Sequence, residues 1–216
     1  MIKINKGQEP AEWTKERQTP GITYETARKE VLRQSLLVEQ GGICGYCMRR
    51  ISYQQGYPTD TRIEHLKPRT LSLKQGKPEE TLDYKNMILC CNGDIDGSGV
   101  YHCDRSKEET CIHFTPFDET VMNSISYSSK NGKIKSSNTQ YDDDINNVLK
   151  LNHPRLAENR LAVIKGVAKE LGKKTWKKSE VNHKLDFYRN RTASGNLHEY
   201  CGVVIWYLTK KLKLFA

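Results

Sequence analysis

Cys44-Gly-Tyr-Cys47, Arg62-Ile-Glu64-His65-Leu-Lys-Pro68, Asp83-Tyr-Lys-Asn86-Met-Ile-Leu-Cys90-Cys91 and His102-Cys103-Asp104-Arg-Ser-Lys107 follow one another in a single segment of the chain. Cys44 and Cys47, separated by two residues, have the spacing at which one tight turn aims both thiolates at a tetrahedral Zn²⁺. A second pair comes from Cys103 with Cys90 or Cys91. Cys91 is preferred, because neighbouring residues on a strand point to opposite faces and only one can reach the metal. Cys90 is then expected to be a small buried residue.

Glu64 and His65 offer different chemistry. An acid directly before a histidine, on an extended segment ended by Pro68, places two functional groups on opposite sides of a strand or its end, where one can hold a hard cation while the other meets a water. Histidine titrates near neutrality and can accept a proton from water. The Glu64 carboxylate offers the hard oxygen that Mg²⁺ or Mn²⁺ prefers.

Taken together, the motifs (CxxC, acid-His-x-x-Pro, Asn followed five residues on by Cys, then Cys-Asp-x-x-Lys) resemble the HNH endonuclease superfamily. The resemblance implies an α+β fold: a ββα-metal core braced by a four-cysteine zinc site, set in a mostly helical protein. It implies Glu64 as first ligand of a catalytic Mg²⁺ or Mn²⁺, His65 as general base and Asn86 as the residue that orients the base loop. Asp104 stands where the family usually has His or Asn as the last metal ligand; His102 is the alternative. Asp104 is favoured, since at the start of a helix its carboxylate both caps and faces the metal. Lys107 is expected to support the loop or a phosphate.

Lys6-Gly-Gln-Glu-Pro10-Ala-Glu-Trp13, Thr19-Pro-Gly21 and Asn146-Asn-Val-Leu-Lys-Leu-Asn152-His-Pro-Arg155 resemble the HNH subunit of Septu-type and retron-associated anti-phage systems. That resemblance implies an ABC-type ATPase partner, and a retron reverse transcriptase with its RNA–DNA product as a further one. The arm around Trp13 and the apolar C-terminal stretch near Trp206 are the surfaces expected to meet the ATPase.

The 216 residues suffice for one good core or two small lobes. A net charge of +9 favours a polyanionic partner, here DNA or RNA. The longest apolar run, Val203 to Leu208, is too short to span a bilayer, and no membrane association is expected. Cysteines at metal-ligand spacing fit a reducing cytoplasm better than a disulfide framework.

Three regions are expected: an N-terminal arm and helix (1–43), the zinc-ribbon nuclease core (44–112), and a small hairpin with a helical C-terminal region (113–216). The arm, broken by Gly7, Pro10, Pro20 and Gly21, reads as irregular, packed through Trp13. A helix carries Ala27, Val31, Leu32, Leu36 and Val38 up to Gly41-Gly42. Ile51 to Tyr57 reads as a strand edge or loop, Asp60 to Leu66 and Asn86 to Cys91 as strands, and Pro68 to Glu80 as a polar excursion. Asp94-Ile-Asp96-Gly-Ser98-Gly99 imitates half a calcium loop, but position twelve is Arg105, and a Gly-rich insertion explains it better.

Asn131-Gly132 signals a hairpin between Ser124–Lys130 and Lys133–Ser136. Asp142 to Asp144 are expected to cap a helix carrying Ile145, Val148 and Leu149. Leu156 to Leu171 reads as a longer helix stopped by Gly172. If that helix continues, Lys165, Lys169, Lys173 and Lys177 form a basic stripe. His183 to Tyr188 and Leu197 to Leu214 read as helical, with Val203, Val204, Trp206, Tyr207 and Leu208 forming either the core of a helical lobe or a docking surface, the core being favoured. The expected function is a metal-dependent phosphodiesterase; the alternative is a non-catalytic zinc-ribbon binding or adaptor subunit.

Overall fold

Two antiparallel strands, β1 (Thr61–His65) and β2 (Met87–Cys91), form the centre, with Glu64 opposite Ile88 and His65 opposite Met87. All five residues of β2 are buried, as a run of Met, Ile, Leu and two Cys requires. A computed structural model describes residues 1–54, 60–172 and 176–215. Among them the fold is α+β, with nine α-helices and two two-stranded antiparallel sheets. One cluster of buried apolar side chains runs from Met1 to Leu208.

The N-terminal arm contains a helix, α1 (Ala11–Arg17), where irregular chain was expected. Pro10 starts it, Glu12 lies in its first turn and Lys15 and Arg17 in its last, each complementing the helix dipole. Trp13 is only 1% exposed and its Nε1 donates to the Leu82 carbonyl at 3.1 Å. Trp13 is therefore the core anchor through which the arm packs on the body. Helix α2 (Glu30–Glu39) is shorter than the apolar pattern predicts: Leu32 and Leu36 face the core, whereas Val31 and Val38 are exposed. It ends at Gly41 and Gly42, both at positive φ; a Cβ on Gly41 would lie 2.7 Å from Leu197.

Residues 51–54 are irregular, and 55–57 of the expected strand edge lie outside the described residues. The expected polar excursion after Pro68 is helical: α3 (Arg69–Lys74) is followed by 3-10 turns at Pro78–Leu82 and Tyr84–Asn86. After β2 the chain forms a one-turn helix, α4 (Asp104–Lys107), closed by Glu108 at φ 50°.

Helix α5 (Glu119–Ser124) leads into the predicted hairpin, β3 (Ile125–Tyr127) with β4 (Ile134–Ser136). The cap of the next helix, α6 (Thr139–Asp143), is Asn138, whose side chain accepts from the Gln140 and Tyr141 amides. Asp142 and Asp144, expected as caps, accept instead from the backbone of Ser136 and His113. Helix α7 (Pro154–Glu170) begins with Pro at its first position and stops before Gly172 at φ 83°. The lysine stripe is consequently cut: Lys165 and Lys169 lie on α7, Lys177 precedes α8 (Lys178–Arg189), and Lys173 lies outside the described residues.

Helix α9 (Cys201–Leu212) buries Val203, Val204, Tyr207 and Leu208. Each such side chain contributes about 1.5–3 kcal/mol when fully buried. Among the described residues, no helix is long and apolar enough to cross a membrane.

A four-cysteine centre beside an acidic cleft

The Sγ atoms of Cys44, Cys47, Cys91 and Cys103 lie within 4.8 Å of one another, and all four residues are buried. Cys44 is 3.9 Å from Cys103, and Cys47 is 3.7 Å from Cys91. A tetrahedron with Zn–S bonds of about 2.3 Å has edges of about 3.8 Å, so this donor set fits Zn²⁺. The first pair is formed by a knuckle in which the Cys44 amide donates to Arg49 and the Met48 amide to Cys44, with Met48 at φ 63°. Cys91, at the end of β2, joins the group; Cys90 is buried outside it. Burial pushes the Cys47 and Cys103 thiols well above the ordinary range. Cys44 goes the other way: burial opposes this, but hydrogen bonds led by that from Cys103 outweigh it.

Cys103 is the hinge between two sites. Its backbone is at φ 57°, ψ −140°, which is strained for a residue with a side chain. Its thiol joins the cysteine group, and the next residue, Asp104, lines a cleft of about 280 Å³ shared with Arg62, Glu64, His65, Arg69 and Arg105.

Glu64 is 2% exposed. Its Oε1 accepts from the Tyr46 hydroxyl at 2.9 Å and pairs with the Lys107 ammonium at 2.9 Å. Burial first, and hydrogen bonding with Asp104 second, raise its pKa from 4.5 to about 8, against the pull of Lys107. Asp104 pairs in turn with the Arg62 guanidinium. Two carboxyls thus lie together, each held on one side by a cation, and offer the hard oxygen donors that a dication such as Mg²⁺ prefers. Lys107, also buried, donates to the His65 carbonyl at 3.2 Å, and so ties the acid to the histidine loop.

The His65 Nε2 lies 2.9 Å from the Thr81 carbonyl. A carbonyl only accepts, so Nε2 carries the hydrogen and Nδ1 is left as the acceptor nitrogen. Burial lowers the pKa of His65 from 6.5 to about 4, opposed by this hydrogen bond. The Asn86 side chain clamps the loop: Oδ1 accepts from the Lys67 amide at 2.8 Å and Nδ2 donates to the Lys67 carbonyl at 3.0 Å. The Leu66 amide donates to the Asn86 carbonyl at 2.9 Å.

Of the two alternatives for the last ligand, Asp104 shares the cleft with Glu64. His102 turns instead to the cysteines, its Nδ1 3.1 Å from the Cys103 Sγ, and its ring packs 5.7 Å from that of His153. The calcium-like loop is held by local turns, Asp94 accepting from the Gly97 amide and Asp96 from the Ser98 amide. His113 pairs with Asp144, His153 caps α7 and His198 stacks on Phe187, which gives those histidines structural partners.

Sequence reasoning missed three contributors. Tyr46, hidden between the first two cysteines, reaches Glu64. Arg62, two residues before Glu64, holds Asp104. Tyr24 packs edge-on against the His65 ring at 4.6 Å, with Arg69 over its own face. The alternation of a five-residue strand could have flagged Arg62, but only the fold brings the two tyrosines to the cleft. No family model and no curated protein matches the chain, and its chemistry is therefore read from the geometry of its own residues.

Proposed function

We propose that this chain is a metal-dependent nuclease of the HNH class that hydrolyses phosphodiester bonds. The observation that carries the reading is the fixed His65 imidazole, its Nε2 committed to Thr81 and its loop clamped by Asn86, in one cleft with the opposed carboxyls of Glu64 and Asp104. A protein that only binds nucleic acid has no use for a histidine of set tautomer beside two hard-metal donors. Neutral His65 takes the proton from an attacking water at Nδ1. Glu64 and Asp104 would hold Mg²⁺ or Mn²⁺, which when bound would supply the positive charge that a leaving 3′ oxygen requires. Arg62, Arg69 and Arg105 border the cleft and attract the phosphate. Lys107 keeps Glu64 and the His65 loop in register. Zn²⁺ at the four cysteines is structural.

The resemblance of the chain outside the core motifs supports a setting in anti-phage defence beside an ABC-type ATPase and a retron reverse transcriptase with its RNA–DNA product. The surfaces that would meet the ATPase are the exposed part of the arm around the buried Trp13 and the C-terminal helix α9 near the half-buried Trp206.

The test is cleavage of duplex DNA, single strands and tRNA with and without Mg²⁺. His65→Ala should lower the rate about 10²- to 10⁴-fold while leaving folding and zinc content intact. Full activity in that variant would remove the mechanism. Binding without any cleavage, in the wild type with Mg²⁺ or Mn²⁺ present, would favour the zinc-ribbon binding module.

A further inference from the structure

The net charge of +9 is not spread along the chain. Residues 1–164 carry 23 lysines and arginines against 22 acids, whereas residues 165–216 carry 12 against 4. The segment that holds the cysteine centre and the cleft, 44–112, is neutral, with 10 of each. A module that must hold a polyanion therefore draws almost none of its attraction from its own surroundings.

The ion pairs divide in the same way. In the first part 11 of the 23 basic side chains pair with acids, among them Lys6 with Glu39, Arg28 with Glu16, Arg62 with Asp104, Lys67 with Glu80, Arg69 with Glu25 and Lys107 with Glu64. In the last part Lys184 pairs with Glu170. Among the described residues, Lys177, Lys178, Lys210, Lys211 and Lys213 have no acidic partner.

These five lysines flank two places in the sequence, the start of α8 and the end of α9, which lie side by side. Trp176, just before α8, packs edge-on against Tyr207 of α9 with ring centres 6.1 Å apart. The Lys211 ammonium lies 5.4 Å from the Trp176 ring and 5.6 Å from that of Tyr207, and Lys210 lies 5.4 Å from the ring of Trp206. The start of α8 thus lies beside the end of α9. Helix stability does not explain the whole group. Lysines in the last turn of α9 suit its dipole, but Lys177 caps α8 and Lys178 opens it, where the dipole disfavours cations.

We propose that this lysine cluster on the α8–α9 pair, with its interleaved tryptophans, grips the phosphate backbone of the nucleic acid that the cleft cuts. The proposal rests on the nuclease reading for what is gripped. Unpaired lysines give sequence-independent, salt-sensitive attraction, and the aromatic rings between them suit an unpaired strand. The cleft can then keep its carboxyls for a metal and reserve its arginines for the reacting phosphate.

The test measures binding by fluorescence anisotropy, on full-length protein carrying His65→Ala, to a labelled DNA strand of about 30 nucleotides, its RNA counterpart and the duplex, across a salt series. The variant replaces the four exposed members, Lys177→Gln, Lys178→Gln, Lys210→Gln and Lys213→Gln. At about 0.7 released counterions per phosphate on a single strand, the slope of log affinity against log salt should fall by about 2 to 3, with at least a tenfold loss of affinity near 0.1 M salt. Zinc content and melting temperature should not change, and arginine at the same four positions should restore binding.

Unchanged affinity and slope would overturn the proposal. So would a wild type that binds none of these probes, or one that binds anionic phospholipid vesicles through these lysines and nucleic acid without them. Nucleic-acid binding lost in the variant, from a wild type that cuts nothing, would uphold the grip and sink the nuclease reading alone.

Discussion

Replacing Glu64 by Gln should change how the stability of the Mg²⁺-free protein depends on pH. Burial and Asp104 raise the Glu64 carboxyl from 4.5 to about 8. Its folded value lies above its unfolded one, so its stabilising contribution is complete below about pH 4.5 and is lost as pH rises through about 8. At about 1.4 kcal/mol per unit, this one group weakens the fold by about 3 kcal/mol between about pH 5 and pH 8. His65 acts in the opposite sense. Depressed from 6.5 to about 4, it is protonated more readily in the unfolded chain and strengthens the fold as pH rises through that interval. The raw wild-type curve therefore mixes two signs, and the difference between Glu64→Gln and wild type isolates the carboxyl. Urea unfolding of zinc-loaded protein, at pH steps across this range and without Mg²⁺, measures it. The variant should gain about 3 kcal/mol on the wild type from the acid to the alkaline end, and Mg²⁺ added to the wild type should close the gap at about pH 8. Parallel curves for the two proteins would mean that Glu64 is not held protonated and that the two carboxyls are not a cation site.

Asn86→Ala removes both hydrogen bonds to Lys67 and should destabilise by about 2 kcal/mol, with a smaller loss of cleavage than His65→Ala, read by urea unfolding and single-turnover rates. Cys103→Ser takes one of four ligands from a buried centre and should give zinc-poor, insoluble protein by metal analysis of the soluble fraction. Trp13→Ala leaves a large cavity and an unpaired Leu82 carbonyl, and should lower the unfolding free energy by about 3–5 kcal/mol without changing zinc stoichiometry.

Much of the centre was legible in the sequence because its chemistry is local. Cys44 and Cys47 needed only a tight turn, and the choice of Cys91 over Cys90 followed from strand alternation. Asn131-Gly132 announced the hairpin, and Gly172 the end of α7, because their backbone conformations favour those residues. What escaped was set by contacts distant in sequence. Nothing in the arm's composition shows that Trp13 would find Leu82 and steady a short helix there. Asp142 and Asp144 look like caps, and became anchors for Ser136 and His113 once the hairpin and the 113 loop packed beside them. The lysines at four-residue intervals looked like one stripe until the end of α7 separated them, and the charge that matters gathered where α8 starts beside α9.

The cysteine centre and the cleft are best understood as one mechanical unit, because their residues alternate along the chain. Tyr46 sits between Cys44 and Cys47, and its hydroxyl holds Glu64. Cys91 ends the strand whose partner carries Glu64 and His65, with Thr61 directly opposite Cys91. Cys103 is followed at once by Asp104, and the single turn that begins there delivers Lys107 to Glu64 and to the His65 carbonyl. The strain at Cys103 persists only if the surroundings over-determine it, and four thiolates on one metal would do so. A one-turn helix has too few internal hydrogen bonds to place a carboxylate by itself. A metal held by the four cysteines would therefore supply the rigidity that α4 lacks, and would position Tyr46, Asp104 and Lys107 around Glu64 from two directions at once.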